Sequence, residues 1–381
     1  MIFRAFLLFC LPVINAIPDF NHERQCSMKA TNLWLDIVVV IDNSALMTND
    51  NLDKASTNIV EVFSNVKRLG TNYDDPRSTR VAIVTYNQNA TILADFNDIQ
   101  SFHDLFTIVR NGLASVVNSN RSNLVSGLTL ARQIFNTNRA NNYRANYKQA
   151  VIIYTNTWQT ENKIEKLLSI ASALHHDGVN IQAIDFGNPV AQAVLRQIAD
   201  EQYTYDQFLT DNLLYFLTQI ICFCLPGWSQ FTPSFFAPSG TCQIVSSAPA
   251  NWMNAKFLCQ SLNKNGYLAA EFDIDKFRYL NDLALNATGV NNNYHIGLNY
   301  VNGGWYWQQP AGQTLLTADP PYQEETFWLP DYPVSPQTNI GGAVVRGDDG
   351  RPNGWKNINA YTESKYYICE TYACDANNYC P

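Results

Sequence analysis

The apolar positions along the chain follow two different rhythms. Over residues 36–41 they run almost without interruption, with three consecutive valines, and stop at Asp42. A short unbroken apolar run reads as a strand buried on both faces, as in a parallel sheet. Leu52, Ala55, Ile59, Val62, Phe63 and Val66 then repeat at helical spacing. The alternation continues with a strand over 81–86, a helix over 124–135, a strand over 151–155 and a helix over 161–176 that Gly178 closes. A strand over 179–186 and a helix over 190–199 follow. Alternating strands and helices predict a doubly wound α/β domain, with ligands at the carboxyl ends of its strands, where Asp42 stands.

Past Cys224 the rhythm breaks. Trp, Tyr, Pro, Gly and Asn become dense and long apolar runs disappear. Helices are expected over 251–262 and 272–285, then short strands at 295–298 and 305–307. A loop runs to about Asn339, before apolar segments at 342–346, around Trp355 and at 366–370. Two helices followed by short strands around a long irregular loop predict an α+β domain, and a loop of that length is usually functional.

Composition adds the compartment. The 381 residues are 46% hydrophobic and 15% charged, enough apolar material for two cores. The net charge is −8 and no basic stripe is present, which argues against nucleic acid as a partner. Arg4, an apolar stretch over 5–13 and the small Ala16 predict a signal peptide over 1–16. No later segment predicts a membrane span or lipid anchor, so a secreted, extracellular protein is expected. Of nine cysteines, Cys10 leaves with the signal peptide, and the remaining eight are an even number, as disulfide pairing requires. None lies between Cys26 and Cys222. Asn89, Asn120 and Asn286 head glycosylation sequons.

The first half resembles the von Willebrand A family through the residues 37–44, Ile-Val-Val-Val-Ile-Asp-Asn-Ser, through Ser122-Asn-Leu opening a helix, and through Val151-Ile-Ile-Tyr-Thr-Asn156. The resemblance covers 32–221, after an N-terminal segment at 17–31. It implies a metal-ion-dependent adhesion site, in which an Asp-x-Ser-x-Ser loop, a Thr and a later Asp hold Mg²⁺ for a partner's carboxylate. Carried over, that site is incomplete. Asp42 and Ser44 match, Ser122 stands for the Thr, Leu46 replaces the second Ser and Asn156 replaces the Asp. A hard cation loses a carboxylate and a hydroxyl, so the expectation is a vestigial site with weak Mg²⁺ or Ca²⁺ binding at most, and no cofactor.

The second half resembles a C-type lectin-like domain over 224–371. The matching pieces are Cys224-Leu-Pro-Gly-Trp228, Trp252-x-x-Ala255-x-x-x-Cys259, His295-Ile-Gly-Leu298 (His where the family has Trp) and Tyr366-Tyr-Ile-Cys369-Glu370. The resemblance implies the disulfides Cys224–Cys242 and Cys259–Cys369. Cys26–Cys222 is expected to tie the ends of the first domain, and Cys374–Cys380 to close a tail at 372–381. The family's further disulfide beside the long loop is replaced by Ala343 and Ala360. Its calcium triplets fall at Tyr332-Pro333-Val334 and Trp355-Lys356-Asn357, which offer few ligand oxygens and one ammonium. Trp328, Tyr332 and Trp355 remain as candidate ligand contacts through their rings.

No nucleophile–base or zinc-spaced constellation appears, so the reading is a non-enzymatic recognition or adhesion protein for extracellular glycan or protein surfaces, plausibly in innate immune defence, without calcium. A structural matrix protein and a calcium-dependent carbohydrate-binding lectin are the alternatives. The oligomeric state and the ligand stay open.

Overall fold

The computed structural model describes residues 23–71, 76–138, 144, 146–159, 163–200, 204–205, 210–232, 238–288, 293–319, 326–346 and 353–380. The expected signal peptide lies outside them, as does the start of the helix expected at 161. The chain divides into two units: Arg24–Ile244 with Glu370–Pro381, and Val245–Cys369, to which Glu23 also belongs.

The first unit is built on a six-stranded sheet of order β3-β2-β1-β4-β5-β6. Its elements are β1 (Leu35–Asp42), α1 (Asn49–Ser64), β2 (Arg80–Tyr86), β3 (Ala90–Ala94), α2 (Phe102–Gly112), α3 (Leu124–Asn138), β4 (Lys148–Thr155), α4 (Ile164–His176), β5 (Val179–Asp185), α5 (Pro189–Leu195), β6 (Thr204–Tyr205) and α6 (Thr210–Ile220). All eight residues of β1 are buried, as its unbroken apolar run requires. It lies parallel to β2 and β4, with Val38 opposite Ala82 and Val151. Alternate side chains serve opposite faces. Ile37, Val39 and Ile41 join a core with α1, α2 and α6, whereas Val38 and Val40 join one with α3 and α4. Only β3, antiparallel to β2, departs from the parallel order.

The segment after α6 stays with this unit. The short hairpin of β7 (Ser229–Gln230) and β8 (Thr241–Val245) is cross-linked by Cys224–Cys242, close to the Cys26–Cys222 disulfide. The tail closed by Cys374–Cys380 packs here too. Phe223 and Cys374 exchange backbone hydrogen bonds of 3.2 and 2.9 Å. The buried Trp34 indole donates to the Asp375 carbonyl at 2.9 Å, with the Tyr379 ring 5.1 Å away. The pairs are the expected ones, Cys224–Cys242 as the lectin resemblance implied, but the hairpin and tail attach to the first unit.

The second unit contains β9 (Ala250–Asn251), α7 (Trp252–Leu262), β10 (Tyr267–Leu268), α8 (Ile274–Thr288), β11 (Tyr294–Val301), β12 (Gly304–Trp307), β13 (Leu316–Thr317), β14 (Gly341–Val345), β15 (Gly354–Ile358) and most of β16 (Ser364–Tyr372). Strand β11 is its hub, antiparallel to β12 and β14 and parallel to β16, while β14 pairs with β15. Gly297 is required there, because a Cβ would strike the Leu268 carbonyl oxygen. Cys259–Cys369 joins α7 to β16, and the Trp252 indole donates to the Ile296 carbonyl at 2.8 Å. Ala343 and Ala360 are wholly buried, as small replacements for an absent bridge should be.

Candidate functional site

In the first unit, strand β1 delivers Asp42 to the carboxyl end of the sheet, where the side chain is fully buried. Its Oδ1 accepts from the Ser44 N–H at 2.9 Å, and its Oδ2 accepts from the Ser122 hydroxyl at 2.7 Å and the Thr155 hydroxyl at 3.3 Å. Burial raises the Asp42 pKa above the ordinary carboxylate value, against the lowering effect of the Ser122 hydrogen bond. Asp42, Ser44 and Ser122 thus meet as the sequence predicted. Thr155 and Gln159 complete the cluster. The Gln159 side chain accepts from the Ser122 N–H at 2.9 Å and donates to the Asn120 carbonyl at 2.7 Å, pinning the loop. No motif pointed to Gln159.

The cluster also tests whether a divalent cation fits. Ser44 Oγ is buried without a hydrogen bond, as a metal ligand awaiting its ion would be. Everything else argues the other way. The single carboxylate already takes three hydrogen bonds, and Ser122 spends its proton on it. The Asn156 amide donates to the Leu46 carbonyl at 3.2 Å, so the two departures from the adhesion motif bond to each other. One carboxylate with neutral oxygens does not fit a tightly held Mg²⁺.

In the second unit, the long loop and β15 form the other candidate site. Asn357 is 2% exposed, and its amide is closed on backbone. Nδ2 donates to the carbonyls of Val334 and Asn339 at 2.8 and 2.9 Å, and Oδ1 accepts from the Val334 N–H at 2.8 Å. The Lys356 ammonium sits 5.1 Å from the Tyr332 ring centroid, a cation–π distance. The Asn357 amide, at the position of the second triplet's carboxamide, is thus bonded to the protein's own backbone.

One of the three expected ring contacts is corrected. Trp355 is wholly buried, and its indole donates to Glu271 Oε2 at 2.6 Å. It stands edge-on to Trp307 at 5.3 Å and to Phe327 at 5.1 Å, so no ligand reaches it. Trp328 is half-buried, edge-on to Trp305 at 5.0 Å and Trp355 at 5.7 Å, and its ring packs the loop. Trp355 belongs to the core because β15 turns it inward, and Trp328 packs partly exposed against that core. Trp328 and Tyr332, both half-buried, remain.

Two buried titratable groups, apart from each other, were not singled out by sequence reasoning. Glu271 accepts from the Trp355 indole and from the Tyr294 hydroxyl at 3.0 Å, and burial raises its pKa to about 8. His295, standing where the family has Trp, places Nε2 2.9 Å from the Ala250 carbonyl. A carbonyl only accepts, so Nε2 carries the hydrogen. Burial lowers the His295 pKa to about 4.

The two folds have recognisable relatives. Residues 36–213 match the von Willebrand factor type A domain, and residues 248–371 match the Lectin C-type domain. The chain therefore carries two modules, a von Willebrand A domain followed by a C-type lectin domain. Among characterised proteins it is similar to C-type lectin domain-containing protein 160 of Caenorhabditis elegans, 23% identical over 391 residues. That match takes in 97% of this chain and 58% of the relative's length. Among solved structures, proximal thread matrix protein 1 from the mussel byssus is 22% identical with a TM-score of 0.41, covering 51% of this chain and 47% of its own. The lectin CEL-I from Cucumaria echinata is 15% identical with a TM-score of 0.30, covering 39% of this chain and 96% of its own. Among the described residues, no helix is long and apolar enough to cross a membrane.

Proposed function

We propose that the protein is a secreted, glycosylated recognition protein that binds extracellular glycan or protein surfaces without calcium and without catalysis. The observation that carries this reading is Asn357. All its amide hydrogen-bonding groups are committed to Val334 and Asn339, with Lys356 beside it on Tyr332, so the loop is held by internal bonds of the kind an ion would otherwise replace. The immune part of the reading rests on the two-module resemblance. Secretion is supported by four disulfides, and the three sequon asparagines Asn89, Asn120 and Asn286 are exposed. Asn120 heads the loop that holds Ser122, so a glycan there would cover the end of the sheet where Asp42 lies. The test is capture of the full chain on glycan and protein arrays, in excess EDTA and in millimolar Ca²⁺. Equal capture in both is expected. Capture that vanishes in EDTA and returns with Ca²⁺ overturns the calcium-independent reading.

A further inference from the structure

The amino end of the first unit's sheet, opposite Asp42, holds a cavity of about 560 Å³. Asp36, Arg80, Arg144, Lys148, Phe223 and Trp228 are among its walls. Asp36, the second residue of β1, takes two guanidiniums. Arg80 binds it through Nε and Nη2 at 2.9 and 2.6 Å, and Arg144 through Nη2 at 2.6 Å. All three side chains are nearly closed to solvent, with exposures of 5, 4 and 11% for Arg80, Asp36 and Arg144. Two guanidiniums against one carboxylate leave one positive charge over. Asp177, also on the wall, is spent on Arg132 at 2.7 Å.

Lys148 adds a second uncompensated charge. Its ammonium lies 4.2 Å from the centroid of the Phe223 ring and makes no ion pair or hydrogen bond among the described residues. Burial lowers its pKa. A half-buried, unpaired ammonium beside a surplus guanidinium charge is costly unless an anion joins it. The surplus is also local, since the whole chain carries −8. The cavity's volume is that of a small-molecule site, and Trp228 offers an indole on its wall.

We infer that this cavity is an oxyanion-binding site, taking a sulfate, phosphate or carboxylate group on a ligand whose flat body lies against Trp228. Lys148 supplies the compact point charge for the oxyanion, and the Arg80–Asp36–Arg144 cluster holds the surrounding field positive. The site is separate from both family sites and needs neither metal nor lectin loop.

Equilibrium dialysis of the full chain against labelled inorganic sulfate, a sulfated monosaccharide and the same sugar without sulfate tests it. Saturable binding of both sulfated probes and none of the parent sugar is expected. Lys148→Met should weaken that binding at least tenfold while melting as the wild type does. A sulfated sugar bound at least tenfold more tightly than sulfate identifies a sugar-borne anion as the ligand type, and equal affinities identify the free oxyanion. Equal binding of the parent sugar, no saturable binding of either sulfated probe, or full binding by a folded Lys148→Met variant overturns the inference.

Discussion

Arg24 and Asp375 are 351 positions apart in the chain, yet Arg24 Nη2 lies 2.6 Å from Asp375 Oδ2. Asp375 is wholly buried, and it also accepts from the backbone N–H groups of Ser27, Asn377 and Asn378 at 3.0, 2.8 and 2.8 Å. One carboxylate thereby organises the tail loop and fastens it beside the Trp34 indole.

Asp375→Ala removes that fastening, leaving a guanidinium and three amide donors without their acceptor. Removing one partner of a buried ion pair costs about 3–5 kcal/mol. Because the Arg24 side chain is 22% exposed, the low end is expected. Urea unfolding should show the first unit's transition moving to lower denaturant, and an unchanged midpoint refutes the role.

Glu271 predicts a loss of stability on the alkaline side. Its folded pKa, about 8, is raised from 4.5, so its contribution is full below 4.5 and is lost as pH rises towards 8. Each pH unit inside that window carries up to about 1.4 kcal/mol. Glu271→Gln keeps the size and an acceptor oxygen for Trp355 but cannot ionise. Thermal unfolding of this variant should lose the decline between pH 6.5 and 8, and a decline equal to the wild type's sinks the assignment.

His295 acts in the opposite direction. Its folded pKa, about 4, is lowered from 6.5, so its contribution is present above 6.5 and is lost as pH falls towards 4. Between 4.5 and 6.5 it offsets Glu271. The Glu271→Gln variant should therefore reveal an acid decline over that range that His295→Gln removes. A pH profile for Glu271→Gln that stays flat to pH 4.5 contradicts this.

Replacing Cys259 and Cys369 together by Ala should cost the lectin unit about 2–5 kcal/mol, because the bridge closes a long loop. Their separation is 110 residues. Chemical denaturation of the purified double variant checks it, with a loss below 1 kcal/mol counting against a structural role.

Leu46→Ser combined with Asn156→Asp should create measurable Mg²⁺ binding by restoring a hydroxyl and a carboxylate beside Asp42, Ser44 and Ser122. Calorimetry reads this directly. Micromolar Mg²⁺ affinity in the unaltered chain would show that the present donor set suffices.

Much of this was legible in the residues. The unbroken run of β1 could only be a strand covered on both faces, and the end of that run located Asp42. Helix α2 escaped notice because only Leu105 and Val109 are buried, while Phe102 and Phe106 point outward, so its apolar stripe is short. Tryptophans were harder. Trp355 shares a strand face with Asn357, and only the fold around β15 decides that this face is inward. Glu271 carried no local signal, since its role depends on Tyr294 and Trp355, distant in sequence.

The chain passes from one unit to the other after Glu23, after Ile244 and again after Cys369, and it finishes where Arg24 began. The lectin unit is thus an insertion anchored at both ends, not a bead at the end of a string. A protease cutting once, at either the Ile244 or the Cys369 crossing, leaves it covalently tethered through the other. Release as a free fragment takes two cuts, so limited digestion should yield nicked full-length material before any separate lectin fragment.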